Sequence, residues 1–201
     1  MNRHFIRDLS EYSDLRARFL TMFRADRHLP DRVFSNGFED FRFLEFDLMI
    51  AEVFWDILSS LAAGFGDTEV IFNANEPDAD AYYFTHFHRY GALRFDPTDS
   101  ALDYYSALRA EPAESPADAL LYVTNIASWF GNSENWAFWG ERDLGIGVAA
   151  VRERGFSWPE AQGIKWFDLE SALSDLVAIN FRDALVPSEF SVKLRENYAN
   201  R

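Results

Sequence analysis

Residues 115–151 read SPADALLYVTNIASWFGNSENWAFWGERDLGIGVAAV, and the fold turns on how this stretch is divided. Ser115 suits a helix N-cap. Pro116 suits the first helical position, where a missing N–H costs nothing, and Asp118 sits near the positive end of the helix dipole. Leu120, Thr124, Ala127 and Phe130 recur at helical spacing with Gly131 as a left-handed stop, so the spacing predicts a helix up to Phe130. After the turn Gly131-Asn132-Ser133, Trp136-Ala137-Phe138-Trp139 is bulky and β-prone, and Ile146–Val151 is a short apolar run. Glu141-Arg142-Asp143 joins the two as a charged hairpin connection.

Outward from this unit the chain is mostly helical. Tyr12, Leu15, Phe19, Met22 and Phe23 form one apolar stripe over about residues 10–26, with Ser10 as cap. Phe46, Ile50, Val53, Phe54, Ile57 and Leu61 predict a single helix over Glu45–Ala63, stopped by Gly64. Thr68–Asn73 alternates as a strand, Val70 and Phe72 facing one way and Glu69 and Ile71 the other. Residues 79–90 read two ways: the aromatics suit a strand, while Asp78 as cap, a stripe through Ala79, Tyr83, Phe87 and Tyr90, and Gly91 as stop favour a helix. Ala92–Phe95 reads as a strand and Ser100–Ala110 as a helix with Leu102, Tyr105 and Leu108 inward. Ile164–Phe167 reads as a last short strand, Asp168 caps a further helix, and Pro187 opens one through Tyr198. The pattern predicts an α+β fold, a small, mostly antiparallel sheet flanked by amphipathic helices. One domain is expected over residues 1–201, its helical part (about 1–64) packed on an α+β part (about 65–201).

Charge is the most informative total. The formal net charge is −14, unevenly spread: residues 1–44 carry +1, residues 45–118 carry −12 and residues 119–201 carry −3. Such a field repels nucleic acid and anionic membrane and attracts basic partners. With no Cys, disulfides, thiolate metal sites and a Cys nucleophile are all excluded. The N-terminus lacks an apolar run of signal-peptide length and no window suits a spanning helix, so a cytoplasmic protein is expected.

The candidate chemistry is sparse. His86 and His88 are the obvious metal ligands, but on a helix they lie about 200° apart and cannot converge on one ion. Glu141 and Asp143 beside Trp136 and Trp139 could bind a sugar or act as acid and base. Equally, they are an ordinary charged turn in which Arg142 offsets its neighbours. No nucleophile elbow, dinucleotide loop or phosphate-binding Gly-Lys-Ser/Thr occurs. No cofactor is expected. The acidic middle, with Asp96, Asp99 and Asp103 near aromatic segments, suits a surface that steers a basic partner while Tyr and Trp anchor it.

Tyr83…Tyr90-Gly91-Ala92-Leu93, Ser115-Pro116…Trp129 and Trp136-Ala-Phe-Trp139-Gly-Glu141-Arg142-Asp143-Leu-Gly-Ile-Gly-Val148 together resemble small bacterial proteins grouped with immunity proteins of polymorphic toxin and contact-inhibition systems. The shared feature is a Trp-x-x-aromatic-Gly-acid-Arg-acid hairpin preceded by a helix, over about 70 residues. The resemblance implies a cytoplasmic, non-enzymatic protein that neutralises a cognate toxin by tight binding, and it transfers no residue roles; the acidic charge adds that the toxin domain would be basic. The expected contact residues, from charge and aromatic position, are Asp96, Asp99, Asp103, Trp136, Trp139, Glu141 and Asp143. The alternative is an enzyme using carboxylates near Trp136 and Glu141, or metal at His86 and His88.

Overall fold

The computed structural model describes residues 3–112 and 115–200. In chain order the elements are α1 (Leu9–Met22), β1 (Asp40–Glu45), α2 (Phe46–Met49), α3 (Phe54–Phe65), β2 (Val70–Glu76), α4 (Thr85–Phe87), β3 (Ala92–Phe95), α5 (Ala101–Leu108), α6 (Leu120–Val123), β4 (Ile126–Gly131), β5 (Trp136–Glu141), β6 (Ile146–Val151), α7 (Leu169–Ser171) and α8 (Ser188–Tyr198). Wider π-helical turns, Ala79–Phe84 and Ala172–Val177, precede α4 and follow α7. The strands form one antiparallel sheet in the order β1-β6-β5-β4-β2-β3. The α+β expectation holds.

Helices cover both faces of this sheet. Phe43, Ile71, Phe130, Trp139 and Val148 face one core with α1 and α8, and Leu44, Phe72, Trp129, Trp136, Phe138 and Val151 face the other with α3 and α5. Side chains alternate by the pleat, yet every residue of β4, β5 and β6 is buried. A strand enclosed on two faces is apolar throughout, so it carries no polar–apolar alternation to read.

That enclosure accounts for the main departure from expectation. The helix expected from Ser115 to Phe130 is instead a 3₁₀ turn (Pro116–Asp118), one turn of α6, and then β4. Ile126, Trp129 and Phe130 prefer an extended chain, and β4 has ladder partners on both sides, β2 and β5. The helical spacing of Ala127 and Phe130 is coincidental. Likewise Glu45–Ala63 is not one helix: the chain runs β1, α2, a turn, then α3, and Gly66 rather than Gly64 takes the left-handed cap. Residues 1–64 are therefore not a helical unit packed against the sheet, because β1 is part of the sheet.

Smaller expectations divide. Residues 79–87 are helical with Asp78 as cap, and the helices after Ser100, Asp168 and Pro187 are present. Leu102 is 62% exposed and Tyr104 points inward instead. Asp8, not Ser10, caps α1, its carboxylate accepting the Glu11 N–H. Ile164–Phe167 contributes a single bridge, Phe167 to Phe43.

Both outer strands are covered. Along β3, Ile6 N–H donates to Ala92 O at 3.1 Å and Arg94 N–H to His4 O at 2.9 Å. Along β1, Phe43 and Phe167 exchange backbone bonds of 3.0 and 2.8 Å. Further along, the Asn200 amide bonds both the N–H and the C=O of Phe41, at 2.8 and 3.1 Å. No long row of open backbone groups is left for another strand to join.

Gly140 and Gly147 are paired across β5 and β6, and a Cβ would collide with the Phe46 ring at Gly140 and with the Met49 sulfur at Gly147. Gly147→Ala should cost about 1–3 kcal/mol by overpacking. Gly64→Ala, in α3 with nothing within 4 Å of its Cβ position, should gain about 0.5–1 kcal/mol. Urea denaturation of the two variants checks the sign of each.

Candidate partner-binding surface

Trp136, Trp139 and Glu141 cannot meet a partner from where they lie. The two indoles are essentially fully buried on opposite faces of the sheet, and Glu141 is buried with Trp139. An indole N–H enclosed this way needs an acceptor, and carboxylates supply it. Trp136 Nε1 donates to Asp67 at 2.7 Å, Trp139 Nε1 to Glu141 Oε1 at 2.9 Å, and Trp158 Nε1 to Asp40 at 2.9 Å. Trp129 donates to the Tyr104 hydroxyl at 3.0 Å. Glu141 Oε1 also accepts the Leu29 N–H at 2.7 Å, tying the loop after α1 to the sheet. Burial pushes the Glu141 carboxyl above the usual carboxylate range, and these two N–H donors partly offset the effect. The expected contact role of these three residues is thus corrected to a structural one.

Asp96 and Asp99 belong to the turn before α5, and Asp103 to its first turn. Asp96 accepts from the Thr98 N–H and hydroxyl at 2.9 and 2.6 Å, and these bonds hold its carboxyl below its ordinary range. Asp103 completes a capping box with Ser100, whose hydroxyl and N–H likewise hold its carboxyl low. Asp99 accepts the Asp96 N–H at 2.9 Å and pairs with Arg3. These carboxylates are engaged in shaping the chain.

Asp143 stands differently. One cross-strand row, Glu45–Ile146–Glu141–Ile126–Glu76, marks one end of the sheet. The β5–β6 turn just beyond it carries exposed Asp143. Arg142 in that turn points inward: Nε donates to Thr124 O at 2.9 Å, Nη2 to Leu121 O at 2.7 Å, and the guanidinium lies 4.9 Å over the Phe46 ring. Phe46 N–H, opening α2, bonds Gly145 O at 3.0 Å, and Asn180 Nδ2 bonds Leu144 O at 2.8 Å. Gly145 permits the turn with φ +63°.

These bonds gather α2, α6 and the 178–180 turn around the hairpin. With them come Asp47, Tyr122 (54% exposed) and Ile179 (73% exposed). Burial lowers the Arg142 pKa, and Asp47 and Asp143 raise it in opposition. Glu45, Asp47, Glu76 and Asp143 are exposed, and among the described residues none has an ion-pair contact, although Asp47 and Asp143 act on Arg142 at longer range. Sequence reasoning missed Glu45, Asp47, Tyr122 and Ile179, because register and loop contacts bring them together and spacing does not.

His86 and His88 serve different neighbours. His86 lies 5.0 Å from the Tyr82 ring, and His88 ends α4 in a left-handed conformation, edge-on to Phe84. Among the described residues no group of three or more His, Cys, Asp or Glu converges as a metal site. No described helix is long and apolar enough to cross a membrane. Compared with known families, curated proteins and solved structures, the chain matches none of them.

Glu141→Gln keeps an oxygen for both N–H donors and removes the desolvated charge. At pH 7 its melting temperature should equal or exceed that of the parent. Because the folded carboxyl titrates above its unfolded value, the cost of ionisation is present above the raised folded pKa and is relieved as pH falls through it. The gap between Gln and Glu should therefore close toward acid. Glu141→Ala, which strands two buried donors, should lose about 1–3 kcal/mol at either pH. Thermal melts at pH 7 and pH 5 read all three.

Proposed function

We propose that this is a non-enzymatic acidic binding protein that docks a basic protein partner on the acidic end of its sheet. Most concretely, it is an immunity protein of a bacterial toxin system, neutralising a cognate toxin domain in the cytoplasm. The observation that carries the reading is the group of four exposed, unpaired carboxylates, Glu45, Asp47, Glu76 and Asp143, at one sheet end with exposed Tyr122 and Ile179.

Carboxylates at a rim steer association, while exposed aromatic and aliphatic side chains supply contact area that desolvates on docking. The scaffold under them is rigid: Arg142 anchors hairpin and α6 to two carbonyls, and both cores close beneath. Little ordering entropy is then left to be lost on binding. The net charge of −14 extends the attraction beyond the contact itself, over a Debye length of about 8 Å at physiological salt. The hairpin Trp136–Val148, which resembles immunity proteins, is the one that carries Asp143 outward and buries its tryptophans inward.

The test is capture of basic proteins encoded beside its gene, at low and moderate salt, followed by association kinetics. One basic partner should bind with an on-rate that falls as salt rises. Asp143→Lys combined with Asp47→Lys should slow association roughly tenfold or more, and Tyr122→Ala should speed dissociation by a similar factor. Asp96→Asn, whose carboxylate is held within its turn, should change neither. A captured partner indifferent to these changes would move the interface elsewhere, and hydrolysis of a substrate with no partner captured would overturn the reading.

A further inference from the structure

At the opposite end of the sheet, where β1 begins and β6 ends, four arginines gather. Arg24, Arg32 and Arg154 line an open depression of about 410 Å³ with Phe38 and Phe41. Arg152 reaches the Asn36–Phe38 wall of the depression from outside its lining: its Nη1 donates to Asn36 O at 3.3 Å, its Nε to Glu134 O at 2.8 Å, and its guanidinium lies 4.6 Å over the Phe38 ring. Arg24 Nη2 donates to the Asn36 side-chain oxygen, also at 3.3 Å. Two guanidinium groups thus meet on one residue, and among the described residues neither has a carboxylate partner. The acids lining the depression are Glu39, paired with Arg154, and Glu196.

A pair of like charges brought together on an asparagine is unfavourable unless something offsets it. Carbonyl and amide oxygens satisfy N–H donors without cancelling charge, so the pair retains a demand for an anion. Gly37 supports the arrangement: it sits at φ +100°, and a Cβ there would collide with Arg152 Nη1, so the loop is shaped around the guanidinium. Stacking on Phe38 holds the Arg152 plane in place, and Arg24 is half-buried. Orientation is settled before any ligand arrives, which suits the flat fork that guanidinium offers to two oxygens of one anion.

We propose that the Asn36 wall of this depression is an oxyanion-binding site, taking a phosphate or carboxylate group between Arg24 and Arg152. It lies away from the acidic end and does not depend on the partner reading. A chain of net charge −14 can still hold an anion there, because carboxylates farther away than a Debye length of about 8 Å are largely screened while the direct guanidinium contacts are not.

Calorimetric titration with inorganic phosphate, and separately with succinate, against chloride at matched ionic strength tests it. Phosphate or succinate should bind with saturation while chloride does not. The tighter of the two identifies the group as a phosphate ester or a carboxylate, and either result supports the site. Arg24→Gln retains an amide for Asn36 and should weaken binding roughly tenfold or more, with the ligand-free melting temperature unchanged. Asp143→Lys should leave anion affinity as it is. Heats no larger than those of chloride, or binding indifferent to Arg24→Gln, would overturn the proposal.

Discussion

A six-stranded sheet enclosed by helices on both faces leaves no water for the polar atoms that its side chains carry. Most of the structure follows from that constraint. Aromatics large enough to fill two cores bring indole N–H groups with them, and each buried one must find an acceptor inside. Asp67, Glu141 and Asp40 are such acceptors, placed where a carboxylate would otherwise be costly. The acids most intimate with tryptophan are therefore part of the interior, and the same arrangement ties distant segments together. Glu141 fastens the loop at Leu29, Asp67 fastens the β4–β5 turn at Ser133, and Asp40 fastens Trp158.

Two groups of charge stand at the ends of the strands. At one end Arg142 turns inward to two carbonyls, leaving Glu45, Asp47, Glu76 and Asp143 to face solvent. At the other, Arg24 and Arg152 meet on Asn36. A sheet whose faces are closed and whose outer strands are covered has only its strand ends and loops to present.

Local signals carried much of the architecture. The stripe of α1, the helix opening at Ser100, Asp78 and Asp168 as caps, and the apolar runs of β5 and β6 are all short-range patterns, and the structure retains them. The candidate site was legible at Asp143, because a charged connection between two apolar strands points to solvent, and at Glu76 only as one acid of the acidic middle. Trp136, Trp139 and Glu141 were misplaced for a definite reason. In a strand buried on one face they would alternate between core and solvent, whereas here both faces are core.

The sequence by itself determined the α+β class, the acidic balance of the chain, and the hairpin at Glu141–Asp143, since composition, capping and β-propensity act within a few residues. Only the tertiary structure decided that Ile126–Gly131 is a strand. Its extended form is selected by ladder bonds to β2 and β5, which lie about 50 residues before it and a few after. The tertiary structure alone also decided which acids are buried beside indoles and which stand together in water. Burial and cross-strand register are properties of the assembled sheet, and no local segment encodes them.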